Sequence, residues 1–195
     1  MSTAQQKQPD ILTPKARASY VYVFRPQKPM QVGQEAKYSV VLLFEPGADL
    51  TAMKAAAGQC VIEKWGPDKD KWPKNLKSPF RDQGEKDADG YVKGATFITA
   101  TSKLKPGCVK RVNGELHDII EEKDFYSGCY CIASVRPFAY DANGNRGVSF
   151  GLQHVMKIAD GEPLGGRTKP TDAFKSVLDE ADATAPAGAT AGIFD

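Results

Sequence analysis

Histidine is nearly absent from this chain. Only His117 and His154 occur in 195 residues, and they show no partner spacing. Cysteine is sparse too, confined to Cys60, Cys108, Cys129 and Cys131. Cys129 and Cys131 stand one residue apart, whereas paired zinc ligands are usually separated by two to four residues. No metal and no cofactor is expected, and the thiols read as buried or half-buried reduced groups. No apolar run approaches the roughly 18 residues that mark a membrane span. The opening MSTAQQKQPD has neither the charged nor the apolar region of a secretory leader. A cytosolic protein with no membrane partner is expected. The catalytic signatures are missing as well: no P-loop, no dinucleotide fingerprint, no nucleophile elbow, no HExxH. Asp118, Glu121, Glu122 and Asp124 cluster, as magnesium ligands of a nuclease would. Their spacing in a connector reads better as a solvated charge run, so the expectation is a protein that is not an enzyme.

Charge is near balance overall, at +2, but it is unevenly placed. Residues 171–195 carry five acidic side chains against Lys175 alone, so the preceding 170 residues carry +6. A mildly basic body with an acidic end suits a protein that meets a polyanion.

What is abundant is aromatic residues in one place. Tyr126, Tyr130, Phe138, Tyr140 and Phe150 fall within the run Tyr126–Val155, with Arg136 and Arg146 among them. The run reads as two strands joined by a tight turn at Asp141 to Asn145. Rings beside cations on a sheet suit a single-stranded nucleic acid, whose bases stack while its phosphates meet positive charge. An ordinary β core with a solvated outer face would show the same pattern.

Upstream, Ala18–Phe24 alternates as a strand. Tyr20, Tyr22 and Phe24 share one face and Val21 and Val23 the other, and either face could be the core. Ala36–Phe44 is a second strand, and a short helix capped by Asp49 and closed by Gly58 follows. Residues 64–90, charged and holding Trp65 and Trp72, read as a surface insertion. Tyr91–Ser102 is a third strand. Cys108–Val112 is a short basic strand or turn ending at Asn113-Gly114, a strong turn dipeptide, and residues 115–125 form an acidic connector. The whole is mainly β: an OB-fold-like, partly open Greek-key barrel of five or six strands, with a short helix, long insertions and a flexible acidic C-terminal tail. A β-sandwich fits the pattern nearly as well. The expected divisions are a disordered N-terminus at 1–13, the binding domain at 14–167 and the tail at 168–195.

The order of motifs carries a resemblance. Thr13-Pro14-Lys15-Ala16-Arg17 leads into Ser19-Tyr20, then come Ala36-Lys37-Tyr38-Ser39, Pro79-Phe80-Arg81-Asp82, Gly90-Tyr91 and Phe97-Ile98. Gly128-Cys129-Tyr130, Pro137-Phe138-Ala139-Tyr140-Asp141, the run from Gly144 to Leu152 and the run from Gly161 to Arg167 complete it. Across residues 13–174 the chain resembles bacteriophage single-stranded DNA-binding proteins long catalogued as a domain of unknown function. The resemblance implies an OB fold, binding of single-stranded DNA with little sequence preference, and work in phage replication or recombination in the cytoplasm of the infected host. Cys131 is a departure, since relatives often carry a basic residue there, which puts one phosphate contact in doubt.

Non-specific binding needs exposed rings and a basic path for the backbone. The candidate rings are Tyr20, Tyr22, Tyr91, Tyr130, Phe138 and Tyr140, with Phe97 a further one. The candidate phosphate contacts are Arg17, Arg81, Lys93, Lys103, Lys110, Arg111, Arg136 and Arg146, with Lys15 and Lys37 behind them. The tail ends Ile193-Phe194-Asp195, an acidic and apolar tip suited to competing for the groove or docking on a replication or recombination protein. Monomer and dimer both remain open, as do DNA and RNA. A structural or virion protein that uses the hairpin aromatics as interface anchors is the alternative function.

Overall fold

The computed structural model describes residues 9–29, 35–142 and 144–165. The chain divides after Gly165 into two units, and the fold below is that of the first. The expected tail at 168–195, its tip included, lies outside the described residues, as do residues 1–8.

In chain order the elements are β1 (Ile11–Leu12), β2 (Ala16–Gln27), β3 (Lys37–Phe44), α1 (Thr51–Trp65), β4 (Arg81–Asp82), β5 (Thr96–Ser102), β6 (Gly107–Val112), β7 (Glu115–Asp118), β8 (Tyr130–Ala142) and β9 (Asn145–Ala159). Five of them close a ring: β2 pairs with β3, β3 with β5, β5 with β9, β9 with β8, and β8 with β2. The β5–β9 contact is parallel and the other four are antiparallel. This is the Greek-key barrel of an OB fold. Two of the contacts are short, with only Ala16↔Cys131 and Arg17↔Tyr130 in register between β2 and β8 and only Ala100↔Phe150 and Thr101↔Gly151 between β5 and β9, so the barrel is partly open. The β6–β7 hairpin extends the sheet beyond β9, and β1 and β4 add short edges to β8 and β5.

Side-chain alternation explains the barrel. Val40, Leu42 and Phe44 of β3 point inward with Ile98 and Ala100 of β5. Cys131, Ala133, Val135 and Ala139 do the same from β8, and these small side chains suit a narrow interior. Val41 and Leu43, on the other face of β3, are also buried, in a second cluster with Phe97. Burial on both faces is why the VVLLF run reads as unbroken apolar sequence.

Several expectations change. Ile11 and Leu12 pair with Val135 and Ser134, so the ordered body begins before residue 14. The helix does not close at Gly58. It continues because Cys60 and Val61 bury with Met53 and Ala57, and it ends at Gly66, whose N–H reaches the Ile62 carbonyl at 2.7 Å. The N-cap position is Leu50, with no side-chain cap, and Asp49 stands one residue earlier, accepting from the Thr51 N–H at 2.9 Å. Residues 64–90 are not a loose surface insertion. Trp65, Trp72, Leu76 and Phe80 pack on the core, and Gln83 is 1% exposed. Most charges of that segment face water while its apolar side chains face the barrel, Lys86 being an exception that lies among rings. Part of the acidic connector is a strand, because Asn113-Gly114 turns β6 back on itself as β7. In β2 the valine face is the core side, with Val23 buried and Tyr20 exposed.

Candidate nucleic-acid interface

Register places the outward side chains of the barrel in transverse rows. One row runs Tyr130, Arg17, Leu43, Phe97, Arg81 across β8, β2, β3, β5 and β4. A second runs Tyr22, Ser39, Thr101, Gly151, Arg136 across β2, β3, β5, β9 and β8. The outer face of the second and third barrel strands, here β3 and β5, is where OB folds hold oligonucleotides.

The first row is covered by the protein itself. Phe97 is fully buried, with Tyr91 and Leu164 packed over it. The Tyr91 and Phe97 rings meet edge to face with centroids 5.9 Å apart, and the Arg81 guanidinium lies 5.1 Å above the Phe97 ring. Residues 161–165 form a strap that returns across this end. Arg17 holds it, Nε donating to the Gly128 carbonyl at 3.2 Å and a terminal nitrogen to the Glu162 carbonyl at 2.6 Å. Gly128 has φ +118, and a Cβ there would stand 2.2 Å from the Glu162 oxygen, so the close approach requires glycine. Arg17 is thus a structural tie, and Phe97 is core rather than a stacking ring.

The second row is floored by small residues. Ser39, Thr101 and Gly151 lie between Tyr22 and Arg136, with Thr99 exposed beside them. Phe138, opposite Ser149 on the same hairpin, is 43% exposed. Tyr140 and Tyr130 are half-buried, and the Lys15 ammonium sits 5.1 Å over the Tyr130 ring. Ser39 is buried and Thr101 and Gly151 are half-buried, so only small side chains stand between Tyr22 and Arg136.

A separate groove of about 510 Å³ gathers Tyr20, Tyr22 and Tyr91 with Asp87 and Asp89. Tyr20 is 47% exposed because β2 bulges there: its φ is +45°, and the pairing with β3 skips from Ser19 to Tyr22. Lys86 lies among rings, 4.7 Å from the Tyr20 centroid, 5.3 Å from Phe97 and 5.7 Å from Tyr91. Burial, and then the nearby Arg81, lower the pKa of its ammonium, and burial raises that of the Tyr91 phenol, which reaches the Ser19 hydroxyl at 3.4 Å. Lys86 was not legible from the sequence, where it stands in GEKDADG and looks solvated.

Most of the expected phosphate contacts have a carboxylate partner. Arg136 donates to Asp10 at 2.8 Å, Arg146 to Asp141 at 3.0 Å, Lys110 to Asp124 at 3.0 Å and Arg81 to Glu85 at 2.5 Å, while Lys103 pairs with Glu35. Exposed pairs of this kind are worth about 0–1 kcal/mol, so an incoming phosphate can compete for them. Lys93 and Arg111 are exposed with no ion pair among the described residues. Lys110 and Arg111 join Lys123 and Lys157 around a second, basic hollow of about 360 Å³. Nine of the expected residues fall into three groups: Tyr20, Tyr22 and Tyr91 at the groove, Arg136, Phe138, Tyr140 and Arg146 on the hairpin, and Lys110 and Arg111 at the basic hollow, while Arg17, Arg81, Lys93, Lys103 and Tyr130 lie outside all three.

Position 131 also changes meaning. The Cys131 side chain faces the barrel interior and is fully buried, so it offers nothing to a phosphate. All four cysteines are buried and unpaired. Among the described residues no three metal-binding side chains converge, the Asp118–Asp124 run included. No described helix is long and apolar enough to cross a membrane.

A five-strand ring with one parallel contact and a ring-bearing outer face defines an OB-type barrel protein. Its sequence places it further: the chain belongs to the family described as Enterobacter phage Enc34, ssDNA-binding protein, whose sequence model matches residues 9–184. The single-stranded DNA-binding protein from bacteriophage Enc34, solved in complex with ssDNA, is similar with a TM-score of 0.63 at 21% identity, over 80% of this chain and 89% of that one. The gp2.5 single-stranded DNA-binding protein of bacteriophage T7 is similar with a TM-score of 0.58 at 17% identity, over 95% of this chain and all of that one. At these identities the two likenesses establish a shared fold. A putative protein p50 of Acyrthosiphon pisum secondary endosymbiont phage 1 is 33% identical over 120 residues, 58% of this chain. The match spans 63% of that relative's length.

Proposed function

We propose that this chain binds single-stranded DNA with little sequence preference and protects it during phage replication or recombination, inside the infected host cell, by binding alone and without catalysis. The observation that carries this reading is the family match over residues 9–184, laid on an OB barrel whose β3–β5 face keeps one open end. Bases stack on Phe138, Tyr140 and Tyr22, and on Tyr20 and Tyr91 at the neighbouring groove. Tyr130 lies at the covered end, under Lys15. Phosphates draw Arg136 and Arg146 from their carboxylates and meet Lys93, Lys103, Lys110 and Arg111 at the rim. Each stacked base contributes about 1–3 kcal/mol, so two or three rings suffice for tight binding. The acidic tail, with Ile193, Phe194 and Asp195 at its tip, competes for the basic surface and docks on a replication or recombination protein.

Titration of the full chain with oligo-dT tests the reading. Saturable binding that weakens as salt rises supports it. No binding at low salt, together with self-assembly in the absence of nucleic acid, would favour the structural-protein alternative. Removal of residues 171–195 should leave affinity equal or higher, and a clear loss would overturn the competitor role of the tail.

A further inference from the structure

Tyr20 is the most exposed of the three rings at the groove, yet no ladder pairing fixes it. β2 pairs with β3 from Ala16 to Ser19 and resumes at Tyr22, and it pairs with β8 only at Ala16 and Arg17, so Tyr20 has no register partner on either side. Its φ of +45° lies in the left-handed region that a bulky residue rarely adopts. A bulge of this kind re-aims a side chain, and a ring aimed out of the sheet needs another group to steady it.

Lys86 supplies that group. Its ammonium stands 4.7 Å from the Tyr20 centroid, nearer than to Phe97 at 5.3 Å or Tyr91 at 5.7 Å. Phe97 is fully buried, so the ammonium bridges a fixed ring and an exposed one. A cation over a ring face is attracted by the ring quadrupole, more strongly where water is excluded. Burial, and then Arg81, lower the pKa of Lys86, as for an ammonium drawn partly out of water. No carboxylate draws it off the rings. The adjacent Glu85 accepts from the Arg81 guanidinium at 2.5 and 2.9 Å, and Lys86 makes no ion pair among the described residues.

The backbone beneath Lys86 is held in turn. It follows a single turn of 3-10 helix, Gln83–Glu85, in which the Asp82 carboxylate accepts from the Gly84 N–H at 2.6 Å. The Lys86 N–H reaches the carbonyl of the buried Gln83 at 3.1 Å. Lys86 is not among the residues that line the groove, so it steadies Tyr20 from outside and leaves the groove free.

We propose that Lys86 is a positioning residue for DNA binding: its ammonium holds the Tyr20 ring in the orientation that stacks on a base, and does not itself meet a phosphate. The inference rests on the single-strand-binding reading and adds to it a residue outside the expected rings and phosphate contacts.

A double-mutant cycle on the full chain, titrated with oligo-dT at several salt concentrations, tests it. Lys86→Met keeps the length of the side chain and removes its charge. It should weaken binding about two- to tenfold, the cost of ordering one side chain on association. The log–log salt slope should stay unchanged, whereas loss of a phosphate contact would flatten it by about 0.7. Tyr20→Ala should weaken binding by itself, and Lys86→Met should have no further effect in that background. Lys86→Arg, which keeps a cation over the ring, should bind as the wild type does. An equal loss from Lys86→Met in both backgrounds overturns the positioning role, and a flatter slope would make Lys86 a phosphate contact instead. Undiminished binding by either Lys86→Met or Tyr20→Ala, or a loss that Lys86→Arg shares, overturns it as well. A wild-type chain that binds no oligo-dT would instead sink the single-strand-binding reading, so the two failures are distinct.

Discussion

The Arg17 guanidinium donates a 2.6 Å hydrogen bond to the Glu162 carbonyl, joining the first barrel strand to the strap that follows the last one. The same side chain holds the Gly128 carbonyl, so one cation fixes both sides of the covered end of the sheet. Arg17→Ala should lower stability by about 1.5–3 kcal/mol, the range for hydrogen bonds from charged groups. It should barely change the salt dependence of DNA binding. Denaturant unfolding and a salt titration read the two effects. A flatter salt slope with unchanged stability would return Arg17 to the phosphate path.

Gln83 is the polar centre of the segment before β5. Its side-chain nitrogen donates to the Phe44 and Thr96 carbonyls at 2.8 and 2.9 Å, and its oxygen accepts from the Val92 N–H at 2.9 Å. Gln83→Ala strands these groups in a buried place, where each costs about 1–3 kcal/mol. A loss of several kcal/mol in urea unfolding is expected. A loss below 0.5 kcal/mol, roughly that of an ordinary surface substitution, would contradict it.

Much of this was legible in the sequence, and the limits have physical causes. The barrel strands could be read because alternation at β8 and the apolar run at β3 are imposed by burial. The hairpin turn could be read from its turn residues, and Gly144 has φ +77. The closing contact between β2 and β8 joins residues more than a hundred positions apart, which no local pattern encodes. Residues 64–90 misled for a related reason: their charges and prolines dominate the composition, and Trp72, Leu76, Phe80 and Gln83, spaced four, four and three residues apart, carry the period of a helix that the segment does not form. The Tyr20 bulge and the Lys86 contacts depend on tertiary packing, so the split of Tyr20 from the hairpin rings could not be seen.

The Arg136–Asp10 pair guards the open end of the β3–β5 face at 2.8 Å. Asp10→Asn should raise affinity for single strands and steepen the log–log salt slope by up to about 0.7, the increment for one more phosphate contact. Arg136→Ala should weaken binding. If neither variant changes affinity or slope, the strand does not pass over Arg136.

Burial pushes the Cys60 and Cys108 thiols from an ordinary 9.0 up to about 11. The folded values lie above the unfolded ones, so the stability linked to these groups is fully present below about pH 9. It is lost as pH rises toward 11, where the unfolded chain sheds thiol protons that the folded chain retains. Urea midpoints from pH 8 to 11 should fall less steeply for Cys60→Ala/Cys108→Ala than for the wild type. Parallel profiles would show that the two thiols do not contribute.

A surface built on stacking rings should prefer a single strand over a duplex. A stacking surface works only on bases that are free to unpair, whereas a purely electrostatic one accepts either form. Competition between oligo-dT and a duplex of equal length, at two salt concentrations, measures this directly. Tighter binding of oligo-dT at both, with both affinities falling as salt rises, is the predicted result. Equal affinity for the two at either salt concentration would contradict it.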